Sequence, residues 1–123
     1  MKQDKSNTSA RRPNGRRENS DLTGMFVHHV LFWLKEPENK VHLEKFKKEL
    51  HQLLSIETIR FSHIGVPAAT NRKVIDSSYQ YSLLVIFDDR KGHDIYQDHD
   101  KHHKFIAECG DLWETVLVYD SWH

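Results

Sequence analysis

The chain has 123 residues, of which 37% are hydrophobic and 29% charged, and this size fits one small domain. Its 18 Lys and Arg residues balance 18 Asp and Glu residues, so it lacks the basic excess of a general nucleic-acid binder. No apolar run approaches the roughly 20 residues of a membrane span, and the single cysteine, Cys109, excludes an internal disulfide and a CxxC site. We expect a cytoplasmic protein that binds neither nucleic acid nor membranes.

The first 24 residues differ from the rest of the chain. They contain six basic and three acidic residues, and their hydrophobic residues are only Met1, Ala10 and Leu22. Such a segment buries too little apolar surface to offset the entropy lost on ordering, and it lacks the apolar core of a secretory signal. We expect residues 1–24 to be disordered and residues 25–123 to form the folded domain.

The folded domain begins with a strand and a helix. Residues 26–34 are mostly β-branched, aromatic or aliphatic and contain no Gly or Pro, which predicts a strand. Pro37 suits the approach to a helix. Apolar residues then recur at spacings of three and four, at Leu43, Phe46, Leu50, Leu53 and Leu54. This spacing predicts an amphipathic helix over residues 40–56.

A second strand is predicted over residues 58–66. Alternation along this segment places Ile59, Phe61 and His63 on one face. Residues 67–77 are rich in polar residues and predict a connection without regular structure.

The second half of the domain repeats the pattern of a strand, a helix and a strand. Residues 79–87 predict the most apolar strand, and the Asp89 side chain can cap the helix predicted over residues 90–109. Gly110 is a plausible helix stop, and residues 112–122 predict a fourth strand. The fold class is therefore α+β, with the ferredoxin-like order β-α-β-β-α-β and a four-stranded antiparallel sheet.

The predicted sheet is apolar on both of its faces. Helices can cover only one face, and the other would expose Leu31 and Trp33 of the first strand and Leu84 and Ile86 of the third. Covering these side chains would stabilise an assembly, at about 25 cal/mol per Å² of apolar surface. We therefore predict a homodimer that packs through the sheet face.

Histidines are concentrated between Gly92 and Phe105. The spacings of His99 from His102 and from His103 are i, i+3 and i, i+4, so either pair can share one helix face and bind a metal. There is no HExxH motif, and the third ligand would have to come from elsewhere in the chain. We therefore expect no specific metal site.

The same segment can carry acid–base chemistry. His102 shares the inward helix face with Phe105, whereas Tyr96 in a straight helix would diverge from His102 by about 120°. The two side chains converge only if the chain bends between them, and Asp100 can cap a new helix at that point. A bend would direct Tyr96 and His102 into one cavity.

His28 is a polar residue in the middle of an apolar strand, on the same face as Val30 and Phe32. A buried imidazole needs a hydrogen-bond partner, and a pocket shared with His102 or Tyr96 would supply one. A plain structural role is the alternative for each of these side chains, since buried His and Tyr are often core residues whose polar ends meet a backbone group.

Four segments together resemble the stress-responsive α/β-barrel (Dabb) domain family. They are HHVLFWLK from His28, SLLVIFDD from Ser82, YQDHDKHHKF from Tyr96 and VLVYDS from Val116. The resemblance spans about residues 25–122. It implies a ferredoxin-like chain that forms a dimeric β-barrel, with no cofactor.

The resemblance also implies roles for individual residues. The family includes a plant polyketide cyclase in which a His of the matching cluster acts as base and a Tyr orients it, and these positions are His102 and Tyr96 here. We accordingly expect His102 and Tyr96 to be catalytic. We expect His28, His99 and Tyr81 to bind the ligand.

The sequence departs from the family pattern at two positions. Asp100 stands where a Pro is usual, and Tyr81 aligns with a His of the cyclase, which puts the cyclase substrate in doubt. We predict a small homodimeric protein that binds a small organic ligand or is associated with the stress response. The alternative is a cofactor-free cyclase, lyase or isomerase that uses the Tyr/His pair. A third hypothesis, a haem- or metal-dependent oxygenase of the related barrels, needs a histidine set that the sequence does not clearly supply.

Overall fold

The computed structural model describes residues 19–123, so most of the segment predicted to be disordered, residues 1–18, lies outside the described residues. The elements are β1 (Phe26–Leu34), α1 (Lys40–Leu53), β2 (Ile59–Gly65), β3 (Tyr81–Phe87), α2 (Arg90–Gln97), α3 (Asp100–Cys109) and β4 (Trp113–Trp122). The strands form one antiparallel sheet in the order β2-β3-β1-β4. The predicted fold class is confirmed, with two helices in place of one before β4. Within residues 19–123, none of the helices has the length and apolarity required to cross a membrane.

Strand β1 sets the arrangement of the core. Alternate residues of β1 are buried against the helices, and these are Phe26, His28, Val30, Phe32 and Leu34. The ring centroid of Phe32 lies 4.9 Å from that of Phe46 on α1 and 5.9 Å from that of Phe105 on α3, both in edge-on geometry. Such aromatic pairs add to the stabilisation from buried area and attach both helices to the centre of the sheet.

The face assignment predicted for β2 is wrong. The register between β2 and β3 shifts between Ile59 and Phe61, so these two residues lie on opposite faces instead of sharing one. A β-bulge places one extra residue in a strand and thereby reverses the alternation beyond it. Ile59 consequently packs against the core, whereas Phe61 is 51% exposed on the face away from the helices.

The open face of the sheet is less exposed than predicted. Ile86 is only 7% exposed, and Leu31, Trp33 and Leu84 are partly buried. Side chains directly opposite on neighbouring strands stand about 5 Å apart and cover one another, and the Trp33 indole also donates a hydrogen bond to Ser78 Oγ at 2.9 Å. The exposed apolar side chains of this face lie instead on the two edge strands, at Phe61 of β2 and at Leu117 and Tyr119 of β4.

Candidate functional site

A cavity of about 190 Å³ lies between the sheet and the last two helices. Its polar lining consists of His28 from β1, Tyr96 and Gln97 from α2, and His102 from α3. Apolar side chains form most of the remaining wall, among them Val30, Leu83, Phe105, Ile106, Trp113 and Val118. The cavity therefore combines an apolar interior with a few polar groups, which is the usual composition of a small-molecule site.

The break between α2 and α3 brings Tyr96 and His102 together. α2 ends at Gln97, and the N-cap of α3 is His99, whose Nδ1 accepts a hydrogen bond from the backbone N–H of Lys101 at 3.0 Å. The chain bends where the sequence predicts, but the capping residue is His99 and not Asp100. The ring centroids of Tyr96 and His102 consequently lie 5.0 Å apart, in edge-on contact.

His28 is paired across the sheet. It is 4% exposed, and its Nδ1 lies 2.6 Å from Oδ1 of Asp120, the residue directly opposite on β4. A carboxylate can only accept, so Nδ1 donates the proton of this hydrogen bond. Burial lowers the pKa of His28 below its ordinary value and the contact with Asp120 partly opposes this effect. A neutral imidazole with its proton on Nδ1 leaves Nε2 as an acceptor.

Tyr96 and His102 are both held in their uncharged forms. Tyr96 is 1% exposed, and burial raises the pKa of its hydroxyl far above the ordinary value. His102 is partly buried, and burial lowers its pKa from 6.5 to about 4, with a smaller effect of the charge of His103. Within residues 19–123, no group hydrogen-bonds the side chain of either Tyr96 or His102. The cavity thus presents a hydroxyl and a neutral imidazole that are available to a ligand.

Two of the predicted binding residues lie outside the lining of this cavity. The Tyr81 hydroxyl donates to the carbonyl oxygen of Leu43 at 3.0 Å, and its ring stacks on Phe46, which makes it part of the core under α1. His99 caps α3, and its Nε2 lies 3.6 Å from a carboxylate oxygen of Glu57. A ligand role for Tyr81 and His99 stays a prediction.

Asp120 and His93 are not among the site residues predicted from the sequence. Asp120 follows an apolar run in β4, just as His28 is a polar residue within the apolar β1. Placing these two residues opposite each other predicts the observed register between β1 and β4. His93 lies on the first turns of α2, and its ring centroid is 4.9 Å from that of His28. Its position follows from how α2 packs on the sheet, which local spacing does not encode.

The fold agrees with that of similar proteins. The sequence profile of the stress responsive A/B barrel domain (Dabb) family matches residues 26–123, and the chain belongs to this family. No curated protein sequence matches the chain significantly.

Similar solved structures share the ferredoxin-like fold. A dimeric protein of unknown function from Bacteroides fragilis is 23% identical with a TM-score of 0.64, and the match covers 82% of this chain and 98% of that one. A Dabb family protein from Mesorhizobium loti is 22% identical with a TM-score of 0.67, over 82% and 98% of the two chains. A dimeric protein of unknown function from Thermobifida fusca is 19% identical with a TM-score of 0.65, over 88% and 100%.

The lowered pKa of His102 predicts a pH-dependent stability. Because the folded pKa lies near 4 and the unfolded one near 6.5, the unfolded chain binds more protons between these values, and stability falls as the pH drops through this window. We expect the free energy of unfolding, measured with urea, to decrease between neutral pH and about pH 5. This decrease should be smaller for His102→Gln than for the wild type. Equal losses in the two proteins would contradict the burial of a neutral His102.

Proposed function

We propose that the chain binds a small, largely apolar organic molecule in the cavity, and that an oxygen of this molecule hydrogen-bonds Tyr96 and His102. The observation that carries the proposal is the presence of these two side chains, without hydrogen-bond partners in the described residues, in an otherwise apolar wall. Side chains that lack partners within the protein can gain hydrogen bonds from a molecule that enters the cavity. A ligand that supplies both an acceptor and a donor would pair with both side chains.

The size of the cavity limits the ligand. An apolar cavity of roughly 150 Å³ is large enough to hold benzene, so 190 Å³ suits one aromatic ring or a short branched chain. The Tyr96 hydroxyl can donate to a carbonyl oxygen, and the neutral His102 imidazole can accept from a hydroxyl. Small phenols and 1,3-dicarbonyl compounds carry such groups on a compact apolar frame.

Acid–base catalysis is the second candidate, and the contact between the Tyr96 and His102 rings favours it. A methylene between two carbonyls would lose a proton to His102, and the electrons of the C–H bond would move to the carbonyl oxygen, where the Tyr96 hydroxyl donates a hydrogen bond. The imidazolium would return the proton to the oxygen of a second carbonyl as the enolate carbon attacks it. Acid–base assistance of this kind contributes about 10²–10⁴-fold.

We also propose that two copies associate through the open face of the sheet. Phe61, Leu117 and Tyr119 expose 51%, 39% and 58% of their surface on this face. Each 100 Å² of apolar surface removed from water contributes roughly 2.5 kcal/mol. The similar proteins from Bacteroides fragilis and Thermobifida fusca are described as dimeric, which supports self-association here.

Light scattering after size-exclusion chromatography tests the dimer. The full chain should have twice its mass of 14.6 kDa, and Leu117→Asp should shift it towards the monomer because a charge cannot be buried cheaply in an apolar interface. Val41→Asp is the control, since Val41 is 76% exposed on α1, away from the sheet. A monomeric wild type at micromolar concentration would refute the proposal.

Ethyl acetoacetate is a suitable probe for the cavity because it carries a methylene between two carbonyls. Titration followed by NMR should shift the resonances of Tyr96 and His102, and Tyr96→Phe should weaken binding about two- to tenfold, as expected for one net hydrogen bond. Tyr79→Phe is the matched control, because Tyr79 packs against Trp33 outside the cavity. Absence of shifts at millimolar probe, or equal weakening by both variants, would contradict the binding site.

The same probe separates binding from catalysis. If the chain is a catalyst, it accelerates exchange of the probe's methylene protons with deuterated solvent, and His102→Gln removes about a hundredfold or more of that acceleration. Binding without accelerated exchange would reject the catalytic candidate and leave the binding function in place.

A further inference from the structure

We propose that His28, His93 and Asp120 form a binding site for a divalent transition-metal ion at one wall of the cavity. These residues come from β1, α2 and β4, and one donor atom of each lies within 4.8 Å of the donor atoms of the other two. The site does not depend on the histidine spacing within α3. It also does not depend on the proposed organic ligand, because it can be tested with the metal alone.

The strongest observation is the state of the His93 imidazole. Its Nδ1 lies 3.1 Å from Oδ1 of Asp94, so Nδ1 donates a hydrogen bond to this carboxylate and Nε2 carries a lone pair. Nε2 is buried and has no hydrogen-bond partner in the described residues. An imidazole oriented by a carboxylate on one nitrogen, with the other nitrogen unpaired, is the arrangement that metal-ligating histidines adopt.

Packing fixes the orientation of His93. Its ring stacks on Phe26 with the centroids 4.5 Å apart, meets Phe87 edge-on at 5.8 Å and lies 4.9 Å from His28. The side chain of His93 is 13% exposed, so it has little freedom to turn towards water. A ligand held in place before the metal arrives loses little entropy on binding.

Asp120 makes the proposed metal site accessible from solvent and contributes a negative charge to it. It lies on the edge strand β4, and its side chain is 41% exposed, so an ion can reach the site from solvent. The ion would replace the proton between His28 Nδ1 and Asp120 Oδ1, and the neutral His28 would carry its proton on Nε2 instead. Metal–ligand distances of about 2.0–2.2 Å require this pair to separate slightly from its present 2.6 Å, which the exposed carboxylate can do.

The ligand set selects the class of ion. Two imidazoles and one carboxylate suit Zn²⁺ and related first-row ions, whereas Mg²⁺ and Ca²⁺ prefer oxygen ligands. Three protein ligands leave a coordination position open for water or for an oxygen atom of a bound molecule. His28 also lines the cavity, so the ion would lie next to the proposed ligand.

The test is calorimetric titration of the full chain with Zn²⁺ after removal of metals by a chelator, with Co²⁺ absorption as a second readout of coordination. We expect one tight Zn²⁺ per chain. His93→Phe keeps an aromatic ring in the same packing, Asp120→Asn keeps the shape of the side chain, and each should weaken the tight site about a hundredfold or more. Near-UV circular dichroism verifies that each variant is folded.

His103→Gln is the matched control, because the side chain of His103 is 61% exposed and lies outside the cluster. It should leave the tight site unchanged. The proposal is overturned if the wild type shows no stoichiometric tight site. It is also overturned if folded His93→Phe and Asp120→Asn both bind Zn²⁺ as the wild type does, because the ion would then reside on other histidines. Neither result bears on the binding of ethyl acetoacetate, so the two proposals fail separately.

Discussion

The alternation of β1 is the constraint on which the rest of the structure depends. Every second residue of this central strand faces the helices, and one residue in this apolar series is His28. A buried imidazole must find a hydrogen-bond partner, and the register between β1 and β4 provides it by placing Asp120 directly opposite. The strand that organises the apolar core therefore also carries a polar pair beneath the helices.

The polar pair and the helix break together define the site. Because the chain bends between α2 and α3, Tyr96 and His102 meet on one side of His28, while His93 approaches it from the first turns of α2. His28 is thus shared between the cavity and the proposed metal cluster. Its neighbours on the two sides differ in charge. Tyr96 and His102 in the cavity are held uncharged by burial, whereas the proposed metal cluster contains the carboxylate of Asp120.

Features with a local signal could be predicted from the sequence. The period of two in β1 and β3, the cap at Asp89 and the need for a bend between Tyr96 and His102 all follow from neighbouring residues. The bulge in β2 could not be read in this way, because a single extra residue reverses the faces of Ile59 and Phe61 without changing the composition.

The part of the site that lies along one segment, with Tyr96 and His102, could be predicted from the sequence, and the contacts between distant segments could not. Asp120 is separated from His28 by 92 positions, and only the pairing of β1 with β4 brings them together. The contacts of Tyr81 and His99 could not be predicted from local sequence either. Both lie near the relevant segments in sequence, yet Tyr81 is bonded under α1 and His99 is used as a helix cap.

The most direct test of this account is long-range ¹H–¹⁵N NMR of the histidine rings in metal-free protein at neutral pH. We expect His28 to be neutral, with its proton on Nδ1 and protected from solvent exchange by the contact with Asp120. A His28 ring that is protonated on Nε2 alone, or that is charged and exchanges freely with water, would contradict the pairing of the His28 and Asp120 side chains on which the site is built.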